Sequence, residues 1–162
     1  MTSSELVAVL QEFTRDKLAL RQRHIAGAER VSNYDFNNTY QYIINREDAQ
    51  VAWLSTALAD VGGAVPEAGG VSVPAEGKGD AAQNAVISND VRQQQAFVEK
   101  WRTRVGQLSN ARHRKMLQVV VDESQEHCRF FEQMIDGRAD VLGRRTGGES
   151  TGGGVLPVRW LQ

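Results

Sequence analysis

Four polar residues break four otherwise apolar helical stripes in this chain: Lys17, Glu47, Gln94 and Glu123. The first stripe reads Leu6, Leu10, Phe13, Lys17, Leu20, His24, and the second Tyr40, Ile43, Glu47, Val51, Leu54, Leu58. The third runs Ile87, Val91, Gln94, Trp101, Val105, Leu108, and the fourth Met116, Val120, Glu123, His127, Phe130, Met134. Steps of three and four keep each set on one helix face, the face that must be buried. A polar group there costs a few kcal/mol unless it finds a partner. Four at once point to one shared cluster, in which an ammonium and an amide answer two carboxylates. Such a network has to be complete, because a half-satisfied one is destabilising.

The remaining reactive residue types read as structural. His24 lies one turn beyond Leu20 and is expected to be a core or end-of-bundle histidine making one hydrogen bond. Cys128 adjoins His127, but neighbours on a helix point about 100° apart, so burial rather than nucleophilic pairing is expected. Glu12 and Asp16 fall on the polar face of the first helix and read as solvated. The run Arg112 to Lys115 reads as a solvated helix start, and Arg144 with Arg145 as a charge pair in a tail. Gly-rich stretches lack a following Gly-Lys-Ser/Thr, and no paired zinc motif or nucleophile elbow occurs.

Four helices must position these residues. Ser3 or Ser4 is expected to cap a first helix reaching about Val31, and Asn33 to Asn38 supplies turn and cap formers before a second that extends to about Val61. Gly62 and Gly63 end it. Residues 62–80 hold six glycines and two of the three prolines, and form the one long internal loop. A third helix is expected from about Ala81 to Leu108, a tight turn at Ser109 and Asn110, and a fourth to about Asp136. Short connections make antiparallel hairpins of helices one with two and three with four. The long loop, at about 3.3 Å per residue, can run back along a whole helix, so helices two and three lie parallel. The reading is an all-α four-helix bundle over residues 1–140, followed by a Gly-rich tail, 141–162. Gly143 to Gly154 contains six glycines and leads to an apolar tip, Val155 to Gln162, expected to dock on the bundle, a second copy or another protein.

Bulk composition narrows the function classes. The 162 residues suffice for one domain with a core, and 41% hydrophobic with 24% charged residues is ordinary for a globular protein. With 19 basic and 20 acidic residues, a net charge of −1 gives no electrostatic reason to bind nucleic acid or an anionic membrane. No apolar run approaches the roughly 20 residues of a membrane span. The opening Met-Thr-Ser-Ser-Glu-Leu lacks a basic-then-apolar pattern, so no signal peptide is expected. One cysteine excludes an internal disulfide framework and fits a reducing, cytoplasmic setting.

Two segments carry a resemblance. Arg46-Glu-Asp-Ala-Gln-Val-Ala-Trp-Leu54, followed by Leu58 and Gly62-Gly63, and Asp122-Glu-Ser-Gln-Glu-His-Cys-Arg-Phe-Phe-Glu132 resemble the second and fourth helices of the ferritin-like superfamily, in particular small rubrerythrin-related bundles. The similarity covers about residues 4–136. In that family helices one and three each give a Glu, and helices two and four each give Glu-x-x-His, to bind two irons. Carried over, Glu47 and Glu123 match the two glutamates, while Gln50 and Glu126 stand at the histidine positions, with His127 one residue late. The glutamates of helices one and three fall at Lys17 and Gln94. A lysine ammonium has donors only, so it repels a metal where a ligand would attract one.

The resemblance therefore implies a ferritin-like bundle whose di-iron site is degenerate. The expectation is a buried network of Lys17, Glu47, Gln50, Gln94 and Glu123, with no cofactor, in a structural or interaction protein that forms a homodimer or higher homo-oligomer. The alternative is an iron-dependent oxidoreductase, a ferroxidase or peroxide-reducing enzyme, using Glu47, Glu123, Glu126 and His127 as metal ligands. A further alternative is cargo of a protein nanocompartment, since the tail resembles the Gly-rich docking tails of some ferritin-like proteins.

Overall fold

Three-residue spacing between Thr2 and Glu5 starts the first helix. In the computed structural model, which describes residues 1–74, 79–138 and 140–143, the Thr2 hydroxyl accepts from the Glu5 amide at 3.1 Å and the Thr2 amide donates to the Glu5 carboxylate at 2.6 Å. This reciprocal box satisfies two otherwise orphaned donors, so Thr2 is the cap rather than Ser3 or Ser4. Helix α1 runs Ser3–Ala28, α2 Tyr34–Asp60, α3 Gly79–Gly106 and α4 Ala111–Ile135. Asn33 caps α2 by accepting from Phe36 N at 3.1 Å, and Asn110 caps α4 by accepting from His113 N at 3.0 Å. Gly62, at φ +75°, closes α2 in the left-handed region where a side chain would be strained.

Helix α1 packs on α2 and α3, and α4 packs on α3 and α2, leaving α1/α4 and α2/α3 as the diagonals. One apolar cluster joins the start of α1 (Leu10, Phe13) to the ends of α2 (Leu54, Leu58) and α3 (Trp101, Val105) and the start of α4 (Leu117, Val120). The other joins the end of α1 to the starts of α2 and α3 and the end of α4, through Ala28, Phe36, Tyr40, Ile87, Phe131 and Met134. Because the ends of α2 and α3 share a cluster, those helices run parallel and the crossover spans the bundle. Its course agrees: Gln11 on α1 donates to Ala64 O at 3.0 Å, whereas Val73 packs on the opposite cluster. Val141 is buried in that same cluster.

Between the two apolar clusters lies a polar layer. Lys17, Glu47, Gln50, Gln94, Ser124 and His24 are fully buried there, with Asp90 and His127 nearly so. Helix α4 is rotated relative to the sequence reading. Its buried face is Leu117, Val120, Val121, Ser124, His127, Cys128, Phe131 and Met134, while Met116, Glu123 and Phe130 are only partly covered. Apolar residues at both 116 and 117, and at both 130 and 131, give this helix two overlapping stripes. Packing against α3, its main neighbour, selects the second.

Candidate functional site

The α1 seam carries Lys17 and His24 two turns apart on the buried face, and both point at α2. The Glu47 carboxylate lies between them: Oε1 is 2.6 Å from His24 Nδ1, and Oε2 is 3.5 Å from Lys17 Nζ. The Lys17 ammonium also donates to Ser124 Oγ at 2.9 Å and lies 5.1 Å over the Phe97 ring. Ser124 in turn donates to Val120 O at 2.7 Å, and its own carbonyl accepts from Gln94 Nε2 at 3.0 Å. Lys17 thus links three helices through Glu47, Phe97 and Ser124.

On the far side of His24, Nε2 faces Asp90 Oδ1 at 3.9 Å, and the Tyr40 hydroxyl donates to Asp90 Oδ2 in a short hydrogen bond. Gly27 allows α3 this close. A Cβ there would meet Val86 Cγ1 at 3.0 Å and Asp90 Oδ2 at 3.3 Å. Two potential cations, Lys17 and His24, therefore alternate with two carboxylates, Glu47 and Asp90, so the buried charges can compensate. Burial pushes Lys17 below the usual lysine range, opposed by Glu47. Burial would also lower His24, but Glu47 and Asp90 outweigh it and raise the imidazole above its ordinary value. Glu47 goes the other way: burial would raise it, and His24 and Lys17 together hold it below the normal carboxylate range. Asp90 is raised, chiefly by burial.

Of the four residues expected as metal ligands, Glu47 and His127 lie in this layer and Glu123 and Glu126 do not. Glu123, 20% exposed, accepts two hydrogen bonds from Arg46, at 2.8 Å each. Glu126 is exposed. The turn of α4 explains both, because it carries position 123 outward, leaves 126 outside and brings 124 inward beside 127. The Glu-x-x-His spacing on this helix accordingly falls on Ser124 and His127, with a hydroxyl where a carboxylate would stand. His127 is held neutral, its pKa pushed down to about 3 by burial and then by the nearby Lys17 charge.

The donor set does not suit a di-iron centre. Among the described residues no group of three His, Cys, Asp or Glu side chains is placed to hold a metal ion. Glu47 and Asp90 face opposite nitrogens of His24, so the three diverge from any single point. Among the described residues, both ends of the Gln50 amide, Gln94 Oε1 and His127 Nδ1 are buried without a hydrogen-bond partner, and Glu47 Oε2 has only its ion pair with Lys17. That mixture of donors and acceptors, with an ammonium at its edge, suits ordered water. A cation needs lone pairs on every side, and Lys17 Nζ presents only N–H.

Asp90 and Ser124 escaped the sequence reading. Asp90 sits between Ile87 and Gln94 at steps of three and four, a further polar interruption beside the apolar Val91 of that stripe. Cys128 is 1% exposed, its thiol pushed up to about 12 by burial and then by Glu132, and it donates to Glu132 Oε1 at 3.4 Å. Glu12 and Asp16 are not freely solvated as expected. They form a surface ion-pair set with Arg104 and Lys100, and Asp16 also accepts from the Trp101 indole at 2.9 Å. The apolar tip, Val155 to Gln162, and the Arg144–Arg145 pair lie outside the described residues.

No protein-family model matches the sequence, and no curated protein matches it. Solved structures do match the fold. A conserved hypothetical protein from Mycobacterium tuberculosis aligns with a TM-score of 0.69 at 15% identity, over 85% of this chain and 95% of that one. A ferritin-like, diiron-carboxylate protein from Bacillus anthracis str. Ames aligns with a TM-score of 0.66 at 14% identity, over 83% of this chain and 99% of that one. Among the described residues no helix is long and apolar enough to cross a membrane. The chain has the ferritin-like fold: four helices, one long crossover, and a polar layer at mid-height.

Proposed function

We propose that this ferritin-like bundle holds a charge-compensated polar network in place of a di-iron centre and acts as a structural or interaction protein in a reducing compartment such as the cytoplasm. The observation that carries the reading is Lys17, a fully buried ammonium 3.5 Å from Glu47 and 2.9 Å from Ser124. An ammonium bonded to the would-be ligands competes directly with a metal ion for the same lone pairs. The Arg46–Glu123 pair removes a second carboxylate. Gln50 and Gln94 supply only weak neutral donors.

The similar structure described as a diiron-carboxylate protein is the contrast; of the four candidate ligands in this chain, Glu47 and His127 lie in the buried layer and Glu123 and Glu126 do not. Elemental analysis of protein purified from iron-supplemented cells tests the proposal. The expected result is well below one iron per chain; about two irons per chain would overturn it. A Lys17→Glu variant that stays folded is expected to gain affinity for Fe²⁺ or Mn²⁺, read as a rise in Tm with added metal that wild type lacks.

A further inference from the structure

The outer face formed by α2 and α4 carries apolar surface. Three large hydrophobic side chains stand exposed on it: Tyr42 at 37%, Trp53 at 39% and Val119 at 48%. Beside Trp53 a groove of about 290 Å³ opens between the two helices, floored by Ala57 and Met116. The Trp53 ring lies 5.6 Å from the Arg46 guanidinium. Exposed apolar side chains beside a groove, interspersed with charge, suit an interaction surface.

The charges around Val119 identify the partner. Arg112 lies seven residues before it and Glu126 seven after, so both share the crest of α4 with Val119. Lys115, four before, and Asp122, three after, fall on the same flank, toward α3. A second α4 laid antiparallel on this crest, with the two-fold axis at Val119, sets Arg112 against the other copy's Glu126 and Lys115 against its Asp122. All four are exposed and only loosely engaged at home: Arg112 is 3.7 Å from Asp60, and Asp122 is 4.0 Å from Arg102. A 25-residue helix is about 37 Å long, and two adjacent helices are about 20 Å wide, which offers roughly 700 Å² per copy. That is close to the about 800 Å² per partner of a standard stable interface.

We infer that the α2/α4 face is the isologous interface of a homodimer, two α4 helices packing antiparallel about Val119. This deepens the interaction role proposed above by naming its partner, a second copy of this chain. It does not depend on the metal content.

Sedimentation equilibrium of the full chain tests it. Wild type is expected to dimerise with a Kd at or below about 10 µM. Val119→Glu is expected to weaken the dimer at least about 10-fold, as are Arg112→Glu and Glu126→Arg singly, because each puts like charges together at two symmetry-related places. The double variant R112E/E126R restores opposite charges and is expected to return close to wild-type affinity. A wild-type monomer at about 100 µM overturns the inference. So do a dimer indifferent to all of these changes, which puts the contact elsewhere, and a double variant weaker than either single, which breaks the antiparallel register. All three positions are exposed, and unchanged far-UV circular dichroism confirms that each variant folds. Iron analysis of the same samples reports separately on the metal-free reading.

Discussion

The same chemistry appears in two settings in this bundle, at its centre and along the α1/α3 seam. At the centre, Lys17 and His24 face Glu47 and Asp90 with no solvent access beyond about 1% of any residue's surface. Along the seam, Lys100 lies 2.6 Å from Asp16 and 3.3 Å from Glu12, and Arg104 lies 2.6 Å from Glu12, all between 29% and 41% exposed. The two shortest seam pairs equal His24–Glu47, at 2.6 Å, and are shorter than Lys17–Glu47 at 3.5 Å, and Arg104 and Lys100 also lie 4.2 Å and 5.1 Å over the Trp101 ring. Even so, the central pairs govern stability. In water the short distance matters little, because screening and side-chain entropy cancel most of the attraction. In the core, an unpartnered charge has nowhere to go. The teaching is that distance ranks ion pairs only within one dielectric.

Replacing Lys17 by Met probes the comparison hardest. It leaves Glu47 with His24 alone in a sealed layer, and the expected loss is about 3–5 kcal/mol, measured by urea denaturation. A loss below about 1 kcal/mol would show that the carboxylate does not need the ammonium, and would make the two regions equivalent.

Tyr40→Phe comes next. It removes the one hydrogen bond to Asp90 from α2, with an expected cost of about 1–3 kcal/mol for a buried acceptor left short, read in the same titration. A neutral result would mean that Asp90 draws on His24 instead.

His127 sharpens the contrast through pH. Its pKa falls from 6.5 to about 3 on folding, so below pH 6.5 the unfolded chain takes up a proton that the folded chain refuses. Stability attributable to this group therefore falls as pH drops from 6.5 toward 3. At pH 5.5 the cost is about 1 kcal/mol, and His127→Gln is expected to flatten the Tm-versus-pH curve between pH 7 and 5. An unchanged slope in the variant would reassign the acid sensitivity to other groups.

The seam gives the smallest effect. Lys100→Met is expected to cost about 0–1 kcal/mol and to become indistinguishable from wild type in 1 M salt. Glu12, held at about 2 chiefly by its hydrogen bond from Arg104, is too exposed for that shift to translate fully into stability. A salt-resistant loss of several kcal/mol on removing Lys100 would erase the distinction between the two regions.

Four helices, their order and the crossover were legible in the sequence because each signal is local. Asn33 and Asn110 cap by their own side chains, Gly62 tolerates a left-handed turn, and steps of three and four mark the buried faces, although the first cap falls on Thr2 and not on Ser3 or Ser4. Lys17, Glu47 and Gln94 were found inside by the same rule, and Gln50 through the family resemblance. Helix α4 carries two apolar stripes, and no local property chooses between them. Only packing against α3 turned Ser124 inward beside His127 and sent Glu123 out to Arg46. The partners, too, belong to the tertiary structure: that Glu47 joins Lys17 to His24, or that Asp90 meets Tyr40 across 50 residues, depends on helix rotation and the close approach at Gly27. Sequence by itself dictated which helices form and that their core must hold charge. The three-dimensional arrangement decided which charges meet, because burial and opposition are properties of neighbours in space, and periodicity records only one helix at a time.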